Sequence, residues 1–176
     1  MNLQEFQRAS KRTMPFNGEP SNQQEFENML GNYAMGLVGE AVEVFESFHE
    51  VPSVFGKELG DVMHYTVGLA EILNVDLKEE PDYIVDDIRN NIKELLICAK
   101  NVSETVKKYI YHRHTEYDKQ FISDELNGVL NYIYSLSDEF GNDFESILQT
   151  NINKLKTRYP EKFTVEDSIK RVDIDG

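Results

Sequence analysis

The spacing of the apolar residues constrains this chain more than any other feature, because it follows the period of an α-helix over most of the length. In one segment the apolar positions recur every three or four residues, at Phe26, Leu30, Tyr33, Leu37, Ala41, Val44 and Phe48. Further stripes run over 59–73 and roughly over 83–110, 121–140 and 144–157. All five prolines lie between these segments, and no stretch alternates as a strand does. The pattern predicts an all-α bundle of four long helices with shorter ones.

An internal repeat indicates how these helices are organised. Residues 58–77 (ELGDVMHYTVGLAEILNVDL) align with residues 125–144 (ELNGVLNYIYSLSDEFGNDF), and residues 32–46 align with residues 90–104. The alignment predicts two helical hairpins, at about 26–77 and about 84–157, that pack with pseudo-twofold symmetry. We therefore expect one domain over residues 1–176.

The two copies of the repeat differ in their acidic residues. The first copy carries carboxylates at Glu40, Glu43, Glu58 and Asp61. The corresponding residues of the second copy are Cys98, Asn101, Glu125 and Gly128. A purely structural repeat gives no reason to concentrate acids in one copy and to replace three of the four in the other. The asymmetry predicts that the acids of the first copy have a function.

The spacing of these acids suggests a metal site. Glu40 and Glu43 share a helix face because they are three residues apart, and Glu58 and Asp61 repeat this spacing on the next helix. If the two helices pair antiparallel across a short loop, all four carboxylates converge at the seam. Such a cluster needs protons or cations, and Mg²⁺, for which Mn²⁺ can substitute, suits carboxylate oxygens. A single pair of this kind is usually an ordinary solvated pair, but both together predict a divalent-metal site.

Four segments, GLVGEAVEVFE, ELGDVMHY, NINKLKTRYPEKF and SIKRVD, follow one another in this chain. Their order resembles that of the MazG-like superfamily of all-α nucleoside triphosphate pyrophosphohydrolases, over residues from about 3 to 173. The resemblance implies that Glu40, Glu43, Glu58 and Asp61 bind the metal. It also implies that water attacks the α-phosphorus, which gives a nucleoside monophosphate and pyrophosphate. Glu43 is our candidate for the residue that orients or deprotonates this water.

The chain departs from the superfamily pattern in three ways. Gly39 stands where many members have a glutamate, and His64 stands where a tryptophan is frequent. The usual single unit is also present twice, and the NxxKLxxRYP segment follows only the second copy. We expect one composite site per chain, in which the degenerate copy stands in for a second subunit.

A basic helix face is the candidate phosphate site. Asn151, Lys154 and Arg158 share a face at spacings of three and four residues, and Tyr159 completes the superfamily segment. Such cations could hold the β- and γ-phosphates or the leaving pyrophosphate. Basic residues near a helix C-terminus also favour the helix dipole, which is the alternative explanation. Arg171 matches the tail of the superfamily more weakly.

The nucleobase contacts are predicted less sharply. His64 is three residues beyond Asp61, so it could be a metal ligand, but we expect it to stack on a base, to hydrogen-bond to one, or to pack in the seam. Tyr33 and Leu37 could wall the base pocket, although packing in the core explains them equally well. His112 and His114 have no cysteine near them, so we interpret them as a loop feature and not as a zinc site.

Composition restricts the partners. The chain has 32 acidic and 18 basic residues, a net charge of −14, which disfavours binding to nucleic acid. Its apolar runs are too short to span a membrane, and its lone cysteine is typical of a reducing cytoplasm. The expected substrate is a nucleoside triphosphate, preferably a deoxynucleotide. The expected assembly is a homodimer, because similar proteins often pair.

Two other functions compete with this interpretation. A di-iron carboxylate bundle would need ExxH on two helices, and the chain offers one DxxH. A non-catalytic acidic interaction module would account for the net charge, but not for the uneven distribution of the acids or for the basic tail helix.

Overall fold

Helices make up all of the regular structure in the computed structural model, which describes residues 1–170. Their bounds are Leu3–Lys11 (α1), Gln23–Ser47 (α2), Pro52–Leu73 (α3), Ile88–Tyr111 (α4), Lys119–Glu139 (α5), Phe144–Arg158 (α6) and Val165–Lys170 (α7), with a 3₁₀ turn at Pro15–Gly18. No strand occurs within these residues, so the predicted all-α class is confirmed. The four helices α2 to α5 are the long ones, with 21 to 25 residues each.

Polar side chains determine where these helices begin. Each of five helices starts after a residue whose side chain accepts a hydrogen bond from a backbone N–H of the first turn: Asn2, Asn22, Asp87, Asp118 and Asp143. The remaining long helix, α3, has Pro52 as its first residue, where the missing N–H costs nothing. It ends at Leu73, and the capping residue Asn74 takes the left-handed conformation with φ of 51°.

The helix α4 begins later than predicted. The apolar stripe placed its start at about residue 83, whereas the helix begins at Ile88. Residues 78–84 run along α5 instead, since the N–H groups of Lys78, Asp82 and Ile84 donate to side-chain oxygens of that helix. The acceptors are Asn127, Asn131 and Ser135, which are spaced four residues apart. Hydrogen bonds from its backbone to another helix therefore hold this largely polar segment along α5, outside any helix.

The long helices pack in pairs. The helix α2 packs against α3 and α4, α4 packs against α5, and α3 also contacts α1, α5 and α6. Fully buried leucines fill the interior from each of the four long helices, among them Leu37, Leu59, Leu95 and Leu126. The predicted copies, at about 26–77 and about 84–157, span α2–α3 and α4–α6. The pseudo-twofold relation between them remains a prediction.

Two glycines let α2 and α3 approach each other closely. A Cβ atom at Gly36 would lie 2.2 Å from the ring of Tyr65, and one at Gly68 would lie 2.1 Å from the ring of Tyr33. Each tyrosine thus lies against a glycine of the opposite helix. Both rings line the same cavity as the acidic residues of these two helices.

In the part of the chain that the structure describes, no helix combines the length and the apolar character needed to cross a membrane.

Candidate metal and nucleotide site

A cleft of about 960 Å³ lies between α2, α3 and α6 and the segment that follows α6. All four predicted metal ligands line it: Glu40, Glu43, Glu58 and Asp61. Six of the seven predicted substrate-binding residues line it as well: Asn151, Lys154, Arg158, Tyr159, His64 and Tyr33. The seventh, Leu37, is fully buried and lies outside the lining of the cleft.

Three carboxylates converge in this cleft. One ligand oxygen from each of Glu40, Glu43 and Glu58 lies within 4.8 Å of the others. Glu40 and Glu43 point from the same face of α2, and the short connection between Ser47 and Pro52 brings Glu58 of α3 opposite them. Glu43 is exposed, whereas Glu40 and Glu58 are partly buried. The predicted convergence of acids from both helices therefore occurs for these three residues.

The surroundings in the cleft disfavour the ionised form of Glu40 and of Glu58. Burial, together with the nearby charges of Asp61 and Glu43, raises the pKa of Glu40 to about 7. Burial and the same two neighbours also raise the pKa of Glu58. A divalent cation at this position would stabilise the ionised carboxylates. Oxygen-only ligands without histidine or cysteine match the preference of Mg²⁺ and differ from a di-iron ligand set.

The fourth predicted ligand, Asp61, has other partners. Its Oδ1 atom accepts a hydrogen bond of 2.7 Å from Asn151 Nδ2, and its Oδ2 atom forms an ion pair with the Lys154 ammonium group. Gly60 allows this contact, because a Cβ atom there would lie 3.1 Å from that of Asn151. A metal bound by the three glutamates would compete with Lys154 and Asn151 for the carboxylate of Asp61. The structure thus places Asp61 between the acidic cluster and the basic helix.

The basic face of α6 lies opposite the acids. Lys154 retains 29% side-chain exposure, and Arg158 lines the same cleft. Asn151 is buried, and its Oδ1 atom has no hydrogen-bond partner within residues 1–170. Lys57, at the edge of the cleft, is exposed, as expected of a surface lysine.

Arg12 holds the turn after α6, which sequence reasoning missed. Its Nη1 atom donates to the carbonyl oxygens of Tyr159, Pro160 and Glu161 at 2.8, 3.2 and 2.7 Å. This fixes the buried Tyr159 ring next to the cleft. No local sequence signal connects Arg12 with a segment nearly 150 residues away.

Aromatic rings form another wall of the cleft. The ring centroid of His64 lies 5.7 Å from that of Tyr33 and 5.2 Å from that of Tyr65. Burial, with smaller effects of Arg158 and Lys154, lowers the pKa of His64 to about 4, so the imidazole is neutral at pH 7. Burial raises the pKa of Tyr65 to about 12, which keeps its phenol protonated. Tyr65 lines the cleft and was not among the predicted residues.

The corresponding place in the second copy is filled. Asn101 Nδ2 donates to Glu125 Oε1 at 2.9 Å, and a Cβ atom at Gly128 would lie 2.9 Å from Cys98 Sγ. Burial, with a hydrogen bond to Glu125, raises the pKa of the Cys98 thiol to about 12. These contacts provide a counterpart of the acidic cluster in which three of the four acids are replaced and Glu125 remains.

Two further predictions concern residues outside the cleft. His112 and His114 are exposed in the loop before α5, and no group of three potential metal ligands forms around them in the described chain. Arg171 lies outside the described residues.

Comparisons with known proteins leave the family of this chain open. The sequence matches no protein-family model, and no solved structure matches it significantly. It is 32% identical over 78 residues to the tRNA-specific 2-thiouridylase MnmA of Mycoplasma mycoides subsp. mycoides SC. That match covers 44% of this chain and 19% of the thiouridylase, so it concerns a minor part of that protein. The resemblance to the MazG-like superfamily therefore remains a prediction.

Proposed function

We propose that this protein is a Mg²⁺-dependent nucleoside triphosphate pyrophosphohydrolase that converts a (d)NTP into the monophosphate and pyrophosphate. One observation carries the proposal: a single cleft places three converging glutamates opposite a helix face that bears Lys154 and Arg158. A triphosphate complexed with a divalent cation matches both walls. The cation would bind the glutamates, and the negatively charged phosphates would bind the basic helix face.

The metal would be held by Glu40, Glu43 and Glu58, with Asp61 joining them once Lys154 leaves its carboxylate. A Mg²⁺ ion held there would neutralise negative charge on the phosphate oxygens while water attacks the α-phosphorus. Release of Lys154 from Asp61 would in turn free its ammonium group for the substrate. In the absence of metal and nucleotide, the carboxylate of Asp61 and the ammonium group of Lys154 therefore neutralise each other.

The side chains of the protein supply the remaining chemistry. Glu43 is the exposed member of the cluster, so its carboxylate can accept a proton from the attacking water. The oxygen of this water forms a bond to the α-phosphorus as the bond from the α-phosphorus to the bridging oxygen breaks. Lys154 and Arg158 stabilise the negative charge of the leaving pyrophosphate.

The proposal extends to the setting of the enzyme. A deoxynucleoside triphosphate is the proposed substrate, the control of nucleotide pools the proposed role, and the cytoplasm the proposed location. The net charge of −14 argues against nucleic acid as a partner. We further propose a homodimer, because Met35, Val42 and Phe45 leave an exposed apolar stripe along α2.

Product analysis tests this function. The protein is incubated with each of the four common dNTPs and Mg²⁺, and the products are separated by ion-exchange chromatography. Equal amounts of monophosphate and pyrophosphate, formed only without EDTA, would support the proposal, and orthophosphate or no turnover would refute it. Tight binding of a basic protein that survives substitution of the acids would favour the acidic interaction module.

A further inference from the structure

Ser10 and His64 form a contact that the proposed chemistry does not use. Ser10 belongs to α1 and is fully buried, and its Oγ atom lies 2.7 Å from Nδ1 of His64. This is the one hydrogen bond of the hydroxyl group within residues 1–170. The two residues are 54 positions apart, so the fold brings them together.

The buried hydroxyl determines which ring nitrogen of His64 carries the proton. A neutral imidazole has one N–H donor and one bare nitrogen, and the bond to Ser10 is compatible with either tautomer. If Nδ1 donated to Oγ, the buried hydroxyl proton would have no acceptor, which is unfavourable. Ser10 therefore donates to a bare Nδ1, and Nε2 carries the proton.

The Nε2–H group is available to a ligand. His64 lines the cleft, and Nε2 has no hydrogen-bond partner within residues 1–170. The ring stays neutral because burial lowers the pKa of His64 to about 4. Tyr33 and Tyr65 surround it, with their own ring centroids 5.3 Å apart. A donor of fixed orientation beside aromatic surfaces suits the edge of a planar, polar group.

We propose that His64 selects the nucleobase by donating a hydrogen bond from Nε2 to an acceptor atom on the base, and that Ser10 is the positioning residue that fixes this tautomer. The inference rests on the proposed function, because it assumes that the ligand of the cleft is a nucleotide. A site built to donate one hydrogen bond rejects a base that presents an amino group at that point, since the donor then has no acceptor.

The tautomer is tested without a ligand. A long-range ¹H–¹⁵N spectrum of the labelled protein at pH 7 should show His64 neutral, with Nε2 protonated and Nδ1 bare. Ser10→Ala should shift His64 toward a mixture of tautomers, and Ser10→Thr, which keeps the hydroxyl group, should restore the original form. A wild-type protein with the proton on Nδ1 would overturn the proposal.

Selectivity is tested by calorimetric binding of dNTP analogues that carry an imido group between the α- and β-phosphorus, with tripolyphosphate as the ligand without a base. We expect the wild-type protein to prefer one base by about tenfold or more. His64→Phe should remove most of this preference and leave the affinity for tripolyphosphate unchanged. An unchanged preference in His64→Phe would refute the inference. Base preference without any turnover of natural dNTPs would instead refute the proposed hydrolysis and leave the role of His64 intact.

Discussion

At the scale of single residues, the charge of Glu40 should depend on whether a cation occupies the cleft. Its pKa is raised from 4.5 to about 7, mainly by burial. A carboxyl group with a raised pKa in the folded state stabilises the fold at low pH, and this contribution is lost as the pH rises through the folded pKa. Glu40 should therefore favour the metal-free fold below pH 4.5 and disfavour it above about pH 7.

This effect can be isolated with Glu40→Gln. In EDTA, the free energy of unfolding of the wild-type protein should fall relative to that of Glu40→Gln between pH 5 and pH 8. Saturating Mg²⁺ should reverse the loss at pH 8, because the cation favours the ionised carboxylate. Urea unfolding at several pH values measures both differences. A constant difference between the two proteins across this range would show that the Glu40 carboxyl does not titrate there.

The proposed roles of Glu43 and Asp61 predict a specific loss of activity. Glu43→Gln and Asp61→Asn should each reduce turnover by about 100-fold or more, as expected for loss of a base or a metal ligand. Glu46→Gln is the matched control, since Glu46 is an exposed acid of the same helix that does not line the cleft. Circular dichroism should show equal helix content in all three variants. Near-normal turnover in Glu43→Gln would exclude it as the base.

The residues of the site differ in how far the sequence reveals them. The three glutamates were predictable because spacing within a helix fixes the face on which they lie. The partners of Asp61 were not, since Asn151 and Lys154 lie 90 and 93 positions away and contact it only through packing of α6 on α3. The contact between Ser10 and His64 was hidden for the same reason.

At the scale of helices, the contacts between tyrosines and glycines fix the separation of α2 and α3. Gly68→Ala would place a methyl group against the buried ring of Tyr33, and we expect it to destabilise the fold by about 1–3 kcal/mol. Gly39→Ala is the control, because its Cβ atom would meet nothing within 4 Å. That change should be neutral or stabilise the helix by about 0.5–1 kcal/mol. Urea unfolding compares the variants, and equal stability would contradict the close packing described here.

The helices themselves were largely predictable. The apolar period located all four long helices, because each must bury one side. It placed the start of α4 about five residues too early, at 83 instead of Ile88. Periodicity cannot reveal that Asn127, Asn131 and Ser135 accept hydrogen bonds from the segment before this helix.

At the scale of the whole molecule, one repeat copy holds an acidic cleft and the other a closed counterpart. The repeat predicted this asymmetry, since three of the four acids are replaced in the second copy. How the second copy compensates for the missing acids could not be predicted. Asn101 bonds to Glu125, and Cys98 fills the space beside Gly128, so this half needs no cation.

Glu58 and Glu125 allow the two copies of the repeat to be compared with a matched pair of variants. The two residues occupy corresponding positions in the repeat, but only Glu58 belongs to the converging carboxylates. Glu58→Gln removes a charge from the cleft, and Glu125→Gln removes one from the closed copy. Any general effect of net charge on cation binding is the same for both variants.

Calorimetric titration of Mn²⁺ at pH 8, with and without a non-cleavable dNTP analogue, tests the central claim most directly. The account predicts saturable binding by the wild-type protein and by Glu125→Gln, and a loss of affinity of at least about tenfold in Glu58→Gln. No uptake of the cation by the wild-type protein, or equal losses in the two variants, would contradict a metal site in the cleft of the first copy.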